Sequence, residues 1–274
     1  MIELPILFED GEALVIDKPA GLPLDTPRAG GPSLDDYIHT LKLGFAREPS
    51  PVHRLDRDTS GCLLLARNPK ALKRFSAAFQ ERLVAKVYLG IVAGKVEGNH
   101  GVIDLAMTKI SSAADGWRMI LARKGKPALT RWRKLEENEN GTLVEFRPET
   151  GRTHQIRVHA LHGLGSALVG DLVYGDYVKT KGGPRRTMLH ASRITIGRTG
   201  KPPVDAFAPM PADFIAMGFT EVAPTVWAPE GEGQVVDDTT YQDAAEDFGE
   251  DFGEDAGEDT PESHGESHGE SHGE

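Results

Sequence analysis

One cysteine, Cys62, stands in 274 residues, so no intrachain disulfide can form. A chain that holds its fold without disulfides suits a reducing compartment, and a cytoplasmic location is expected. No stretch approaches the ~20 consecutive apolar residues of a membrane helix. The N-terminus, Met1 to Asp10, carries acids where a secretory signal carries bases, so neither export nor membrane insertion is expected. Bases are missing from one whole segment: Pro229 to Glu274 holds 17 acidic residues and no Lys or Arg. Removing those from the 42 acids leaves 25 against 31 bases in residues 1–228, a balance of +6 beside the whole chain's -11. The acidity therefore belongs to the tail, and the body is mildly basic, as contact with a polyanion favours. Three acidic tetrads, two of Glu-Asp-Phe-Gly and one of Glu-Asp-Ala-Gly, and three copies of Glu-Ser-His-Gly fill the end of the tail. Such a segment has too little apolar surface to offset its conformational entropy, so a folded domain over residues 1–228 and a disordered acidic tail over 229–274 are expected. No Walker loop or dinucleotide fingerprint appears, and His154, His159 and His162 lack the i, i+4 spacing of a helical zinc pair. No metal and no organic cofactor is expected.

What is present centres on Pro51 to Asn68. A polar row, His53-Arg54-Leu55-Asp56-Arg57-Asp58-Thr59-Ser60, ends at Gly61 and runs straight into the apolar stretch Cys62 to Ala66. A short apolar run bounded by turn residues suits a buried strand. The polar row then lies on the loop that feeds that strand, where a rigid scaffold can present side chains to a ligand. Alternating Arg and Asp could also be a solvated turn with weak ion pairs, but such a turn has no need of a buried strand behind it.

Along the chain, Ile6 to Glu9 and Ala13 to Asp17 flank Asp10-Gly11 and predict a hairpin. Ser33 can cap a helix with Leu34, Tyr37, Ile38 and Leu41 as its apolar stripe. Asn68-Pro69 opens an amphipathic helix through Leu83, and Lys86 to Gly94 is strand-like. Val102 to Leu105, Trp117 to Leu121 and Ala128 to Leu135 predict a short antiparallel sheet in a basic section, and Thr142 to Phe146 another strand. Thr153 can cap a helix through His162, Gly170 to Gly175 is a turn-rich loop, and Leu189-His190-Ala191 opens a strand to Ile196 before a Pro-rich stretch, Lys201 to Ala212.

His53 to Gly61 resembles the H-R-L-D-x-x-T-S-G signature of the RluA-type pseudouridine synthases, RNA-modifying enzymes that convert selected uridines to pseudouridine. Asp17 to Leu22 resembles the family's N-K-P-x-G-L element, Lys86 to Gly94 its K-x-Y-x-A-x-V-x-G segment, with Gly90 for alanine, and Thr150 to His159 its T-G-R-x-H-Q-I-R-x-H motif. The resemblance runs from about Ile6 through Pro211. It implies an α+β fold, with a mixed, mainly antiparallel sheet and flanking helices. It implies Asp56 as the catalytic residue, Arg157 as its charge partner, and Tyr88 as the residue that stacks on the target base and helps in proton transfer at carbon 5. A close guanidinium favours the charged form of a carboxylate in a partly desolvated pocket, which is what a nucleophilic carboxylate needs. Arg54 is implied to fill the gap left by the flipped uridine, and Leu189 to lie beneath the base. His53, Thr59, Arg152, His154 and Gln155 complete the expected substrate or RNA contacts. The implied reaction is self-contained: Asp56 attacks, the N-glycosidic bond breaks, the base rotates, and carbon 5 joins the ribose.

The family often carries an N-terminal S4 RNA-binding domain; the hairpin predicted at the start of this sequence leads to the expectation of none here. Structured ribosomal or transfer RNA is then expected to be held by the catalytic domain itself, in a monomer. A non-catalytic RNA-binding or ribosome-assembly factor on the same fold is the competing reading, and the intact set Asp56, Tyr88 and Arg157 argues against it. A glycoside hydrolase using Asp56 and Asp58 fits poorly, because neighbouring loop residues seldom flank one bond.

Overall fold

A computed structural model describes residues 2–112, 116–175, 184, 186–222 and 234–237. The first hairpin forms where the sequence predicts it. Strands β1 (Ile6–Glu9) and β2 (Ala13–Lys18) pair antiparallel, and the Asp10 carboxylate accepts from the N–H groups of Glu12 and Ala13 at 2.8 Å to close the turn. β2 pairs with β4 (Ser60–Ala66), and the two-residue β3 (Ser50–Pro51) lies on the far end of β4. All seven residues of β4 are buried, as its unbroken apolar run requires of a central strand.

Helix α1 (Pro69–Gln80) follows, with Asn68 as N-cap accepting from the Ala71 N–H at 2.9 Å. Then come β5 (Val84–Val92), β6 (His100–Asp104), β7 (Met107–Ser112), β8 (Gly116–Leu121), β9 (Leu129–Asn138) and β10 (Gly141–Pro148). Helix α2 (Gln155–Gly163), β11 (Leu189–Ile196), β12 (Val204–Phe207), helix α3 (Ala212–Ala216) and β13 (Gln234–Asp237) complete the described elements. The main sheet runs β1-β2-β4-β11-β5-β10-β9-β6-β13, with β12 also on β11 and β3 on β4; β7 and β8 pair apart from it. Its ladders are antiparallel except β11 with β4 and β13 with β6, so the expected mixed, mainly antiparallel sheet with a few helices is found.

The β4–β11 contact decides where the site lies. His190 and Ala191 face Ser60 and Gly61 in parallel, so the starts of both strands, and the loops that feed them, lie side by side. Gly61 has φ +105, and a Cβ there would sit 2.2 Å from the Ala191 carbonyl oxygen. Only glycine allows this close approach. Tyr88 on β5 faces Ala191 across the next ladder and packs against two apolar clusters, one around β2 and β4, the other around β9, β10 and α2. Its ring therefore sits at the seam between two halves of the core.

Several expectations need correction. Residues 33–41 form two 3-10 segments, Leu34–Asp36 and Ile38–Lys42, rather than one α-helix; Leu43 in left-handed conformation and Gly44 stop a segment too short to propagate α-helix. Helix α1 ends at Gln80 rather than Leu83, because Arg82 turns left-handed at φ 59. Thr153 does not cap α2: His154, itself left-handed at φ 53, holds that position. The Pro-rich stretch hides β12, whose Val-Asp-Ala-Phe alternates between buried and more exposed positions against β11. Gln234–Asp237, inside the segment expected to be disordered, pairs in parallel with β6 through a Gln-Val-Val-Asp stretch able to extend along a free strand edge. Residues 229–233 and 238–274 of the expected tail lie outside the described residues, and contacts divide the chain into units of residues 1–241 and 242–274. No helix among the described residues is long and apolar enough to cross a membrane.

Candidate active site

Asp56 lies on the loop before β4, and Arg157 lies on the first turn of α2, 101 residues later. The Arg157 Nη1 donates to Asp56 Oδ2 at 3.2 Å. The same guanidinium makes a closer, two-pronged contact elsewhere: Nε and Nη2 donate to the Asp171 carboxylate at 2.6 and 2.8 Å. Burial alone would raise the Asp171 carboxyl, but Arg157 and the N–H groups of Val173 and Tyr174 outweigh it and hold the acid below its usual range. Asp171 thus fixes the guanidinium plane, and the remaining arm reaches Asp56.

The loop bearing Asp56 is braced from beneath. Lys18, wholly buried, donates to the carbonyls of Pro19, Leu22 and Arg57 at 2.9, 2.9 and 3.1 Å. Burial pulls its ammonium down to about 8, partly countered by Asp58 and Asp56. Arg186 Nη1 donates to the Asp58 carbonyl at 3.2 Å and to that of Leu189 at 2.9 Å, tying this loop to the start of β11. Ser60 donates to His190 Nδ1 at 2.9 Å if the neutral ring carries its proton on Nε2, which faces the Ala208 carbonyl at 3.2 Å.

Above Asp56 opens a cleft of ≈ 130 Å³, walled by Tyr88, Lys86, Leu189 and the loop from Pro148 to Arg157. Burial, then the nearby Asp56 charge, pushes the Tyr88 hydroxyl above its ordinary value, so the ring enters the cleft as a neutral phenol. Lys86 donates to the Thr150 carbonyl at 3.2 Å, and burial pulls its ammonium down to about 8. His154 Nε2 lies 3.8 Å from Asp56 Oδ2, while its Nδ1 is 2.8 Å from the Tyr174 hydroxyl. Burial lowers the His154 ring below its ordinary value, with Asp56 pulling the other way. The Tyr174 oxygen accepts from the Met119 N–H at 3.0 Å and can turn its own proton to Nδ1, which leaves the Nε2 proton directed at Asp56.

Of the residues singled out in the sequence, Arg54, Asp56, Thr59, Tyr88, Arg152, His154, Gln155, Arg157 and Leu189 meet at this cleft. Arg54 is exposed at its rim, and Arg152 is anchored through Nε to the Pro127 carbonyl at 3.0 Å. Two expectations change. Gln155 is buried with its amide satisfied inside the protein: its oxygen accepts from the Thr150 hydroxyl and the Arg152 N–H, and its nitrogen donates to the Leu129 carbonyl and Thr130 hydroxyl. It shapes the cleft wall and has little left to offer a ligand. His53 is not in the cleft; its Nε2 accepts from the Leu64 N–H at 3.0 Å and its ring stacks on Phe79, with burial driving its pKa to about 3. It is a brace between the loop and β4.

Lys18, Lys86, Asp171 and Tyr174 were not singled out as site residues. The available signal was a charge set in apolar surroundings: Lys18 ends a buried strand, and Asp171 sits among Leu168, Val169, Leu172 and Val173. Such a charge needs a partner.

This geometry can be compared with known proteins. The family model described as RNA pseudouridylate synthase matches residues 12–162, and the match takes in Asp56, Tyr88 and Arg157. The chain belongs to the RNA pseudouridine synthase family. An uncharacterized RNA pseudouridine synthase of Zymomonas mobilis is 53% identical over 214 residues, covering 78% of this chain and 97% of the relative. Ribosomal large subunit pseudouridine synthase D of Nitrosomonas europaea is 41% identical over 177 residues, 64% of this chain and 50% of that protein. Among solved structures, human RNA pseudouridylate synthase domain containing 1 is 30% identical, with a TM-score of 0.61 over 76% of this chain and 83% of that one. Human RNA pseudouridylate synthase domain containing 4 gives 26% identity and a TM-score of 0.64, covering 77% and 90%. The pseudouridine synthase fold and the α+β architecture expected from the sequence therefore agree.

Proposed function

We propose that the chain isomerises specific uridines of structured ribosomal or transfer RNA to pseudouridine, with Asp56 as the catalytic carboxylate. The observation that carries this reading is the single arm of Arg157 held at 3.2 Å from Asp56 at the base of a cleft that Tyr88 enters. In this scheme Asp56 bonds to the target nucleotide, the N-glycosidic bond breaks, the uracil turns in the cleft, carbon 5 bonds to the ribose carbon that nitrogen 1 left, the Asp56 bond breaks to return the carboxylate, and the proton lost from carbon 5 is matched by one gained at nitrogen 1. Tyr88, kept as a neutral phenol by burial, lies against the base and serves the proton at carbon 5. Leu189 supplies the apolar floor, and exposed Arg54 fills the space the flipped nucleotide leaves in the RNA stack. Ribosomal RNA is the favoured target class, because relatives such as the Nitrosomonas europaea protein are named for the large ribosomal subunit. The proposal needs no metal and no organic cofactor, and it is for a monomer working in the cytoplasm. Mapping pseudouridine across cellular RNA with and without this chain tests it. A discrete set of positions that depends on the chain is the expected result; identical maps would contradict the reading.

A further inference from the structure

Trp117 on β8 is 46% exposed, at the mouth of a second cavity of ≈ 390 Å³ that shares Asp56, His154 and Arg157 with the first. Its indole stacks on the His154 ring, with centroids 5.0 Å apart and planes 26° from parallel. His154 is itself fixed. Its backbone is left-handed, and Tyr174 meets it edge-on at 5.5 Å as well as through the hydroxyl. Tyr174 in turn accepts from the Met119 N–H, two residues along β8 from Trp117. The β7–β8 hairpin is therefore pinned to the start of α2 through two contacts, and the indole lies one ring beyond the group that faces Asp56. Lys109, opposite Met119 on β7 and exposed, places Nζ 5.3 Å from the indole centroid.

An exposed indole that served only to cover His154 would need no cation beside it and no open cavity before it. An aromatic plane backed by one ring and opening on a cavity, with an exposed, flexible ammonium lying over it that a base can displace toward its own phosphate, suits a nucleotide. We propose that Trp117, backed by His154, is a stacking platform for an unpaired base adjacent to the target uridine, with Lys109 at the adjoining phosphate. This rests on the RNA reading above and extends it: the chain holds a second nucleotide beside the one that reacts. Because every base has a π-face, the platform favours an unpaired neighbour without selecting its identity. Target uridines are then those in loops, with at least one unstacked flank.

The test uses the full chain and a short oligouridylate as probe, read by binding affinity and by quenching of tryptophan emission. Trp117→Ala should weaken binding roughly 5- to 150-fold, the range expected for one lost base–aromatic stack. Made in a Trp227→Phe chain, so that Trp117 and Trp132 are the remaining indoles, Trp117→Phe should recover most of the affinity but lose the quenching, since Trp132 is wholly buried and does not line the cavity. Lys109→Ala should weaken binding and reduce the salt slope by about 1. Wild-type affinity in Trp117→Ala, or undiminished quenching in Trp117→Phe, overturns the platform while leaving the RNA reading intact. Failure of the unaltered chain to bind the probe at all overturns both.

Discussion

Arg157 serves two carboxylates unequally. It gives Asp171 two short hydrogen bonds and Asp56 one at 3.2 Å, so its position is set by Asp171 and one arm is left for Asp56. Arg157→Met should therefore cost stability as well as turnover, because Asp171 is wholly buried and would lose its charge partner. Breaking a buried pair this way costs about 3–5 kcal/mol. Chemical denaturation of the variant checks it; a loss under about 1 kcal/mol, the scale of an exposed pair, would show that Asp171 is not held as described. At this scale Asp56, Tyr88 and Arg157 were singled out by the resemblance of the runs that hold them to a family's motifs, and the three meet at one cleft. The sequence did not show Asp171 or Lys18, since a single buried charge has no period and its partners come from distant segments. His53 and Gln155 were misread for the opposite reason: they belong to the same runs, but their polar atoms are consumed by Leu64, Thr150, Leu129 and Thr130.

Strand β4 connects the apolar core to the loop that carries Asp56, and its parallel contact with β11 closes on Gly61. Gly61→Ala puts a methyl 2.2 Å from the Ala191 carbonyl oxygen and forces a side chain onto a positive φ. Backbone strain of this kind costs about 1–3 kcal/mol, and relief by parting β4 from β11 would carry the loop before Ser60 with it. The expected outcome is a lower unfolding midpoint together with a turnover loss larger than the stability loss explains; a variant with wild-type midpoint and turnover would contradict the close approach. Elements with strong periodicity or clear punctuation, such as the first hairpin, α1 and β4, were legible in order and type. Residues 33–41 were not, because apolar spacing alone does not separate a 3-10 segment from an α-helix. β12 and β13 were hidden by proline and by acidic surroundings, and what makes them strands is an available neighbour, β11 or β6, which no local pattern records.

For the molecule as a whole, buried histidines set the acid limit, His159 and His190 among them alongside His53. His159 sits between the Thr130 hydroxyl and the Leu105 carbonyl, and His190 between Ser60 and the Ala208 carbonyl; burial is the main cause that lowers both to about 4. Below the unfolded value of about 6.5 the unfolded chain takes up protons that the folded chain refuses. Stability is then fully present above about pH 6.5 and should fall as pH drops toward 4, by about 1.4 kcal/mol per pH unit for each ring. Denaturation at pH 7 and pH 5 measures the slope, and His190→Gln should flatten it by one ring's share; an unchanged slope would remove His190 from the account. The sign asymmetry between a basic body and an acidic tail was read from composition alone, whereas the strand at Gln234–Asp237 depends on β6 as its neighbour.

Asp56 is the residue on which the proposed pseudouridine formation turns. Cells lacking this chain should be supplied with either the unaltered protein or Asp56→Asn, which keeps the size of the side chain but removes the nucleophile, and pseudouridine should then be mapped across their RNA. The unaltered chain should restore a discrete set of positions, and Asp56→Asn, equally abundant and folded, should restore none; restoration of the same set by Asp56→Asn would remove Asp56 from the reaction.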